Sequence, residues 1–384
     1  MGVPDTNRNA AGRMSGGFPT LPFPMLTDSP NFGLVKLSGR PHASHVSIAN
    51  GPAKLRNIAD LLGCSVATVS NAINGRGRMS VKMRQQILDK CAELNFVPNS
   101  AGRSLRLQRT DAVGVIYAPS FAELFGNVFY ARIMEGLAET FSEAGLDLVL
   151  GNRRDPDGMP SIVRQGKVDA LVVLAGVFTA ADYEVLLHCP VPLCIVDGYV
   201  RSFDSDSLTS DGFGGGQQVA EHLHLHGHRK VVMTAYRSPL YNIEQRIAGF
   251  FSGLRACGLE ASEADSLIRV DDDQEAANEL LARLNSDDPP TAVFAVNDTM
   301  ALNLMDALDL AGRKVPDDVS VVGFDDDPAA ARARPALTTV GLKKRDIGAV
   351  SARLVLDRLA HPDKPIVHQV QPTKLVIRES VARH

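Results

Sequence analysis

Four polar positions follow or open short apolar runs. Asp197 comes directly after Leu193–Val196, Asn297 after Ala292–Val296, and Asp325 after the run that starts at Val321. Arg246 stands at the head of an amphipathic stretch carrying Ile247, Phe250 and Leu254. The carboxylates accept hydrogen bonds, the guanidinium donates through a planar fork, and the amide does both. Such a set suits the adjacent hydroxyls of a sugar or polyol, and it could also serve a nucleobase or another polar metabolite. Asn242, four residues before Arg246, is a secondary candidate. Asp298 reads as a helix cap, and Asp326 and Asp327 as solvated turn acids.

Other constellations fall short of chemistry. His222 and His226 stand one helical turn apart, a spacing that zinc can use, but no carboxylate or cysteine completes the set. Gly214-Gly215-Gly216 lacks the spacing of a dinucleotide loop. There is no Gly-x-Ser-x-Gly elbow and no Cys/His nucleophile pair. A binder is therefore expected, with no catalytic residue, metal or cofactor.

A second set of polar residues lies near the amino terminus. Leu55, Ile58, Ala59 and Leu62 recur at helical spacing until Gly63, and Ser65 can cap a helix carrying Val66, Val69, Ala72 and Ile73. Ser80 can cap a third helix with Met83, Ile87, Cys91 and Leu94 on its apolar face. Small Ala59 permits close helix approach, Gly63 a tight turn, and Val69 an inward contact. The pattern is that of a helix-turn-helix, and it leaves Ser65, Val66, Ala67, Ser70 and Asn71 on an outer face able to enter a major groove.

The elements that position these residues differ along the chain. Residues 1–52 are rich in Pro, Gly, Ser and Asn and read as a disordered extension. Residues 53–97 form the all-α module, and 98–110 a linker. Beyond Asp111, apolar runs at 113–118, 146–150, 170–175, 193–196, 230–234, 292–296, 319–323 and 374–377 alternate with amphipathic stretches such as Phe129, Ile133, Leu137 and Phe141. That alternation predicts an α/β body of doubly wound parallel sheets in two lobes, with ligands beyond the carboxyl ends of the strands. Charge follows the same division: residues 53–110 carry a net +7 and residues 111–384 a net −13. One end of the molecule is thus suited to phosphate. No apolar run approaches the ~18 residues of a membrane span. The five cysteines (Cys64, Cys91, Cys189, Cys194, Cys257) are scattered, as expected of reduced cytoplasmic thiols.

Several blocks in fixed order give these features a family. Ser65-Val-Ala-Thr-Val-Ser70, Ala92-Glu-Leu-Asn-Phe-Val-Pro-Asn99, Arg103-Ser-Leu105, Gly227-His-Arg229, Arg246-Ile-Ala-Gly-Phe250, Asn297-Asp-Thr-Met-Ala301 and Val321-Val-Gly-Phe-Asp-Asp326 together resemble the lactose-repressor/galactose-repressor family from Ala53 almost to the carboxyl end. The resemblance implies a sequence-specific transcriptional regulator, most simply a repressor, with a periplasmic-binding-protein-like core. Val66, Ala67 and Asn71 would then meet base edges, Asn71 pairing with adenine. Thr68, Ser70, Asn74, Ser80 and Arg84 would position phosphates.

The segment holding Ser100, Arg103 and Leu105 resembles the family's hinge helix, with Leu105 at the place of its minor-groove wedge. In the body, the resemblance assigns effector contacts to Asp197, Arg246, Asn297 and Asp325, with Phe129 or Tyr130 as an aromatic surface. It places lobe one at 111–207 and 341–371, and lobe two at 208–340 and 372–384. The expected partners are double-stranded operator DNA, a sugar-like effector and a second copy of the chain. An enzyme acting on a sugar or nucleotide is the rival reading, and an exported solute-binding protein is a second.

Overall fold

The computed structural model describes residues 55–73, 75–96, 109–117, 124, 126–152, 158–174, 178, 180–199, 204–238 and 240–384. The chain divides into two compact units, residues 1–97 and 98–384. The extension 1–52, Asn74 and the segment with Ser100, Arg103 and Leu105 lie outside the described residues. Among the described residues no helix is long and apolar enough to cross a membrane.

The first unit consists of three short helices: α1 (Leu55–Leu61), α2 (Val66–Ile73) and α3 (Val81–Glu93). Their buried residues, Ile58, Ala59, Val69, Ala72, Ile87 and Cys91, form one small core. Gly63 turns the chain at φ +62°, a conformation that costs other residues a Cβ clash. Ser65 then accepts the Thr68 amide at 3.0 Å, and Ser80 accepts the Met83 amide at 3.2 Å. Both serines therefore satisfy amides that a helix start leaves unpaired.

The second unit carries two six-stranded sheets. The first contains β1 (Ala112–Tyr117), β2 (Asp147–Asn152), β3 (Ala170–Leu174), β4 (Leu193–Val196), β5 (Asp206–Ser210) and β11 (His368–Gln371). Their order across the sheet is β11-β5-β4-β3-β1-β2, parallel throughout. The second contains β6 (Val231–Tyr236), β7 (Leu267–Val270), β8 (Ala292–Ala295), β9 (Ser320–Asp325), β10 (Thr338–Gly341) and β12 (Lys374–Val376). Its order, β12-β10-β9-β8-β6-β7, repeats the first, except that β12 runs antiparallel to β10.

Strand pairing locates the crossings between the two sheets. β5 pairs with β4 over 206–208 and with β11 over 207–210, so the first sheet extends through Ser210, past the expected boundary at 207. The return follows Gly341, the last residue of β10, and the final crossing falls between Gln371 and Lys374.

Period-two alternation assigns the faces of the first sheet. Val113, Val115 and Tyr117 pack with α4 (Val128–Glu143) and α12 (Lys344–Ala360), while Ala112 and Ile116 pack with α5 (Ser161–Arg164) and α6 (Ala180–Leu186). The corresponding helix pair of the second lobe is α7 (Gly212–Leu225) with α8 (Tyr241–Ala256). In both pairs glycines face each other. A Cβ on Gly136 or Gly348 would strike the Arg345 or Ile133 carbonyl, and a Cβ on Gly216 or Gly249 would strike the Arg246 or Phe213 carbonyl. Gly215 has no room either, because Phe324 lies against it. The triple glycine thus serves helix and ring packing.

Candidate functional site

The outer face of α2 is built by what the core leaves over. Val69 and Ala72 are buried, while Ser65, Val66, Ala67 and Asn71 are exposed and Ser70 is half-buried. Val66 is 42% exposed on this face. Thr68 Oγ1 lies 2.9 Å from Ser65 Oγ, so these two hydroxyls brace the helix start together. Arg84 turns towards the Arg76 carbonyl at 3.4 Å and steadies the loop between α2 and α3.

In the second unit a cleft of about 960 Å³ opens between the lobes. That volume is at the upper end of the range of small-molecule sites, ~300–1,000 Å³. Phe129, Tyr130, Asp197, Asn242, Arg246, Asn297 and Asp325, the seven residues singled out in the sequence, all border it. The strands bring them there: Asp197 and Asp325 lie at the carboxyl ends of β4 and β9, both at positive φ (59° and 121°). Asparagine and aspartate tolerate such turns better than most residues. Asn297 caps α11 (Asp298–Leu310) by accepting the Met300 amide at 2.8 Å.

Arg246 is the hub of the lobe-two wall. Its guanidinium donates to the Val296 carbonyl at 2.6 Å and to Asp325 Oδ1 at 3.0 Å, and it lies 3.9 Å over the Phe324 ring. It stands in the second turn of α8, not at the helix start expected from the sequence. Lys344, the first residue of α12, donates to the Asp325 carbonyl and, at 2.7 Å, to Asp327.

The acids read as a cap or as solvated are all bonded within the fold, and Asp327 also borders the cleft. Asp298 is fully buried and accepts from Thr339 Oγ1 at 2.5 Å and from the Asp327 amide at 2.7 Å. Asp326 pairs with Arg378. Sequence pattern failed here because the partners, Thr339, Lys344 and Arg378, arrive from distant strands and crossings.

The lobe-one wall is aromatic and contains one incompletely satisfied acid. Tyr130 packs edge-on to Tyr117 and Phe129, with ring centroids 4.7 and 5.0 Å apart. Asp197 Oδ2 accepts from Asn242 Nδ2 at 3.0 Å, a bond that crosses from lobe one to lobe two. Asp197 Oδ1 is buried without a partner among the described residues. Burial pushes this carboxyl up to about 7; Arg246 opposes the shift, the Asp325 charge adds to it, and the Asn242 bond opposes it. Burial likewise raises Asp325, against the pull of Arg246 and Lys344.

Sequence reasoning missed several cleft residues. Tyr236 ends β6, two residues beyond the expected end of that strand, and Thr299, Leu302 and Asn303 occupy one face of α11. The i, i+3, i+4 spacing after the Asn297 cap was the available signal for the last three. The histidines serve packing: His222 and His226 lie ring to ring at 4.2 Å, and His228 binds Thr291 Oγ1 at 2.8 Å and the Ala382 carbonyl at 3.1 Å.

Known proteins resemble this chain in sequence and fold. Residues 54–99 match the model of bacterial regulatory proteins of the lacI family, and residues 220–381 that of the periplasmic binding protein-like domain. The HTH-type transcriptional repressor PurR of Mannheimia succiniciproducens is 30% identical over 340 residues, covering 86% of this chain and 99% of the relative. The structure of a transcriptional regulator CelR–cellobiose complex is 30% identical, with TM-score 0.64, covering 85% of this chain and 99% of that one. The lac repressor dimer bound to operator and the anti-inducer ONPF matches in fold, with TM-score 0.75 at 24% identity, covering 86% and 100%. A helix-turn-helix with an open outer face, joined to a two-lobed ligand-binding fold and matched over nearly its whole described length, makes this chain a member of the lacI family of DNA-binding transcriptional regulators, not an enzyme.

Proposed function

We propose that the chain is a homodimeric repressor whose operator affinity is set by a sugar-like effector bound between the lobes. The observation that carries this reading is the unpartnered, buried Oδ1 of Asp197 beside the Arg246–Asp325 pair. A hydroxyl-bearing ligand offers that oxygen a donor while Asn242 and Asn297 offer it further amide contacts. The CelR relative solved with cellobiose supports a carbohydrate over other polar ligands. Because Asn242 and Asp197 belong to different lobes, a ligand that replaces or extends their bond changes how the lobes close. It shifts operator affinity only by as much as its binding differs between the two lobe arrangements. Val66, Ala67 and Asn71 read base edges, and Leu105, assigned from its sequence context, wedges the centre of the site.

The test is selection of the full chain on a randomised palindromic duplex pool at two salt concentrations, followed by titration of saccharides and purine bases against the selected duplex. The proposal expects one enriched palindrome with a flexible pyrimidine–purine centre and at least one saccharide that shifts its affinity. Salt-sensitive binding without enrichment would mean that the basic unit only holds phosphate. A response to purine bases alone would remove the sugar class.

A further inference from the structure

The contacts assigned to Asp197, Arg246, Asn297 and Asp325 leave part of the cleft unexplained. Its wall continues along α11, where Thr299, Leu302 and Asn303 share one face and all border the cavity. Asn303 lies six residues beyond the Asn297 cap, so helical rise extends this wall by about 9 Å. One pyranose held against the Arg246–Asp325 pair does not cover that length.

The far part of the wall is a built polar group. Tyr236, at the carboxyl end of β6, donates its hydroxyl to Asp273 Oδ1 at 2.6 Å. Asn303 Nδ2 donates to Asp273 Oδ2 at 2.5 Å. One carboxylate, from the first residue of α10 (Asp273–Leu284), therefore fixes two side chains that border the cleft. Burial and the Asp273 contact raise the Tyr236 pKa against an opposing bond from Asn297, so the ring stays a neutral phenol. With its proton committed to Asp273 and Asn297 already bonded to its oxygen, the phenol keeps one acceptor site, and Asn303 keeps its carbonyl oxygen and one N–H. Leu302 and the Tyr236 ring supply apolar surface between them. Alternating apolar surface with neutral donors and acceptors matches the face and hydroxyl edge of a sugar ring.

We infer that Tyr236 and Asn303, held by Asp273, form a second hydroxyl-recognition station, and that the effector is a saccharide of at least two rings. This rests on the sugar reading above and specifies its size. Asp273 is a positioning residue; Tyr236 and Asn303 make the contacts.

Titration calorimetry of the full chain with matched pairs (glucose with cellobiose, glucose with maltose, galactose with lactose) tests it. At least one disaccharide is expected to bind about tenfold or more tighter than its monosaccharide, the value of one well-made hydrogen bond or more. Asn303→Ala should weaken that disaccharide by about tenfold while the monosaccharide stays within roughly twofold. Tyr236→Phe should act in the same direction, which guards against a folding artefact in either variant. A monosaccharide that binds as tightly as its disaccharide, or equal losses for both on Asn303→Ala, would overturn the second station and leave the sugar reading standing. No binding by any of these sugars would overturn both.

Discussion

The two lobes share a strand order but place their buried ion pairs differently. In lobe two, Arg246 and Asp325 meet at the cleft, at 3.0 Å, with side chains 5% and 12% exposed. In lobe one, Arg358 grips Asp206 through two bonds of 2.8 and 3.0 Å at the β5 side of the sheet, and neither residue borders the cleft. Arg358 also donates to the Pro362 and Pro365 carbonyls, so its pair ties down the segment leading into β11. The same chemistry thus holds the scaffold in one lobe and preorganises the ligand wall in the other. The aromatic lobe-one wall, with its open Asp197 oxygen, is the complementary half that a ligand completes.

Removing each arginine separates the two roles and should give the largest effects. Truncating one member of a buried pair leaves an uncompensated charge and costs about 3–5 kcal/mol. Arg246→Ala and Arg358→Ala should therefore lower the denaturant midpoint of the body by similar amounts. Only Arg246→Ala should also abolish effector binding by calorimetry; Arg358→Ala should keep it within roughly twofold at a temperature where the variant is folded. Equal losses of binding in the two variants would erase the distinction between scaffold and wall.

The paired glycines offer a smaller and more symmetric test. Gly348→Ala in lobe one and Gly249→Ala in lobe two each drive a methyl group into a facing helix backbone. Overpacking of this kind costs about 1–3 kcal/mol. The lobe-two variant should in addition weaken the ligand, because α8 carries Arg246 and Asn242. Thermal melts with and without ligand check both parts, and a lobe-one variant with the larger loss of ligand stabilisation would contradict the assignment of the wall to α8.

Much of this arrangement was legible in the sequence because local pattern determines it. Apolar runs ending in Asp197, Asn297 and Asp325 place polar side chains at strand ends, where a doubly wound fold gathers its ligand contacts. The turn at Gly63 and the serine caps of α2 and α3 are likewise local. Strands β5, β7, β10 and β11 were not foreseen. β5 and β10 read Asp-Ser-Leu-Thr-Ser and Thr-Thr-Val-Gly, and their burial comes from neighbouring strands and helices, not from apolar side chains of their own. The Asp298–Thr339 and Lys344–Asp327 contacts join residues brought together by sheet order, which spacing along the chain does not reveal. Spacing could have marked Asn303, but the bond that Tyr236 and Asn303 share through Asp273, on a third element, could not be read along the chain.

The smallest predicted effect concerns the proton on Asp197. With its carboxyl pushed up to about 7, the folded chain holds this proton across a range in which the unfolded chain, near pH 4, has released it. Between those values the folded state binds more protons, so this residue makes stability fall as pH rises from about 4 to about 7, with no further loss above. Asp298, also raised to about 7 by burial, adds a decline in the same window. Asp325, raised in the same direction, contributes with the same sign, and Asp197→Asn removes the Asp197 contribution while keeping an amide oxygen for Asn242. The variant should lose less thermal stability than the parent between pH 5 and pH 8, by a few °C. Ligand binding should behave oppositely: the ionised Asp197 accepts a hydroxyl, so affinity in the parent rises from pH 6 to pH 8, while the variant binds weakly with little pH dependence. Parallel melting profiles for the two proteins would show that Arg246 keeps Asp197 ionised throughout, and the open oxygen of lobe one would then be a fixed acceptor in place of a titrating one.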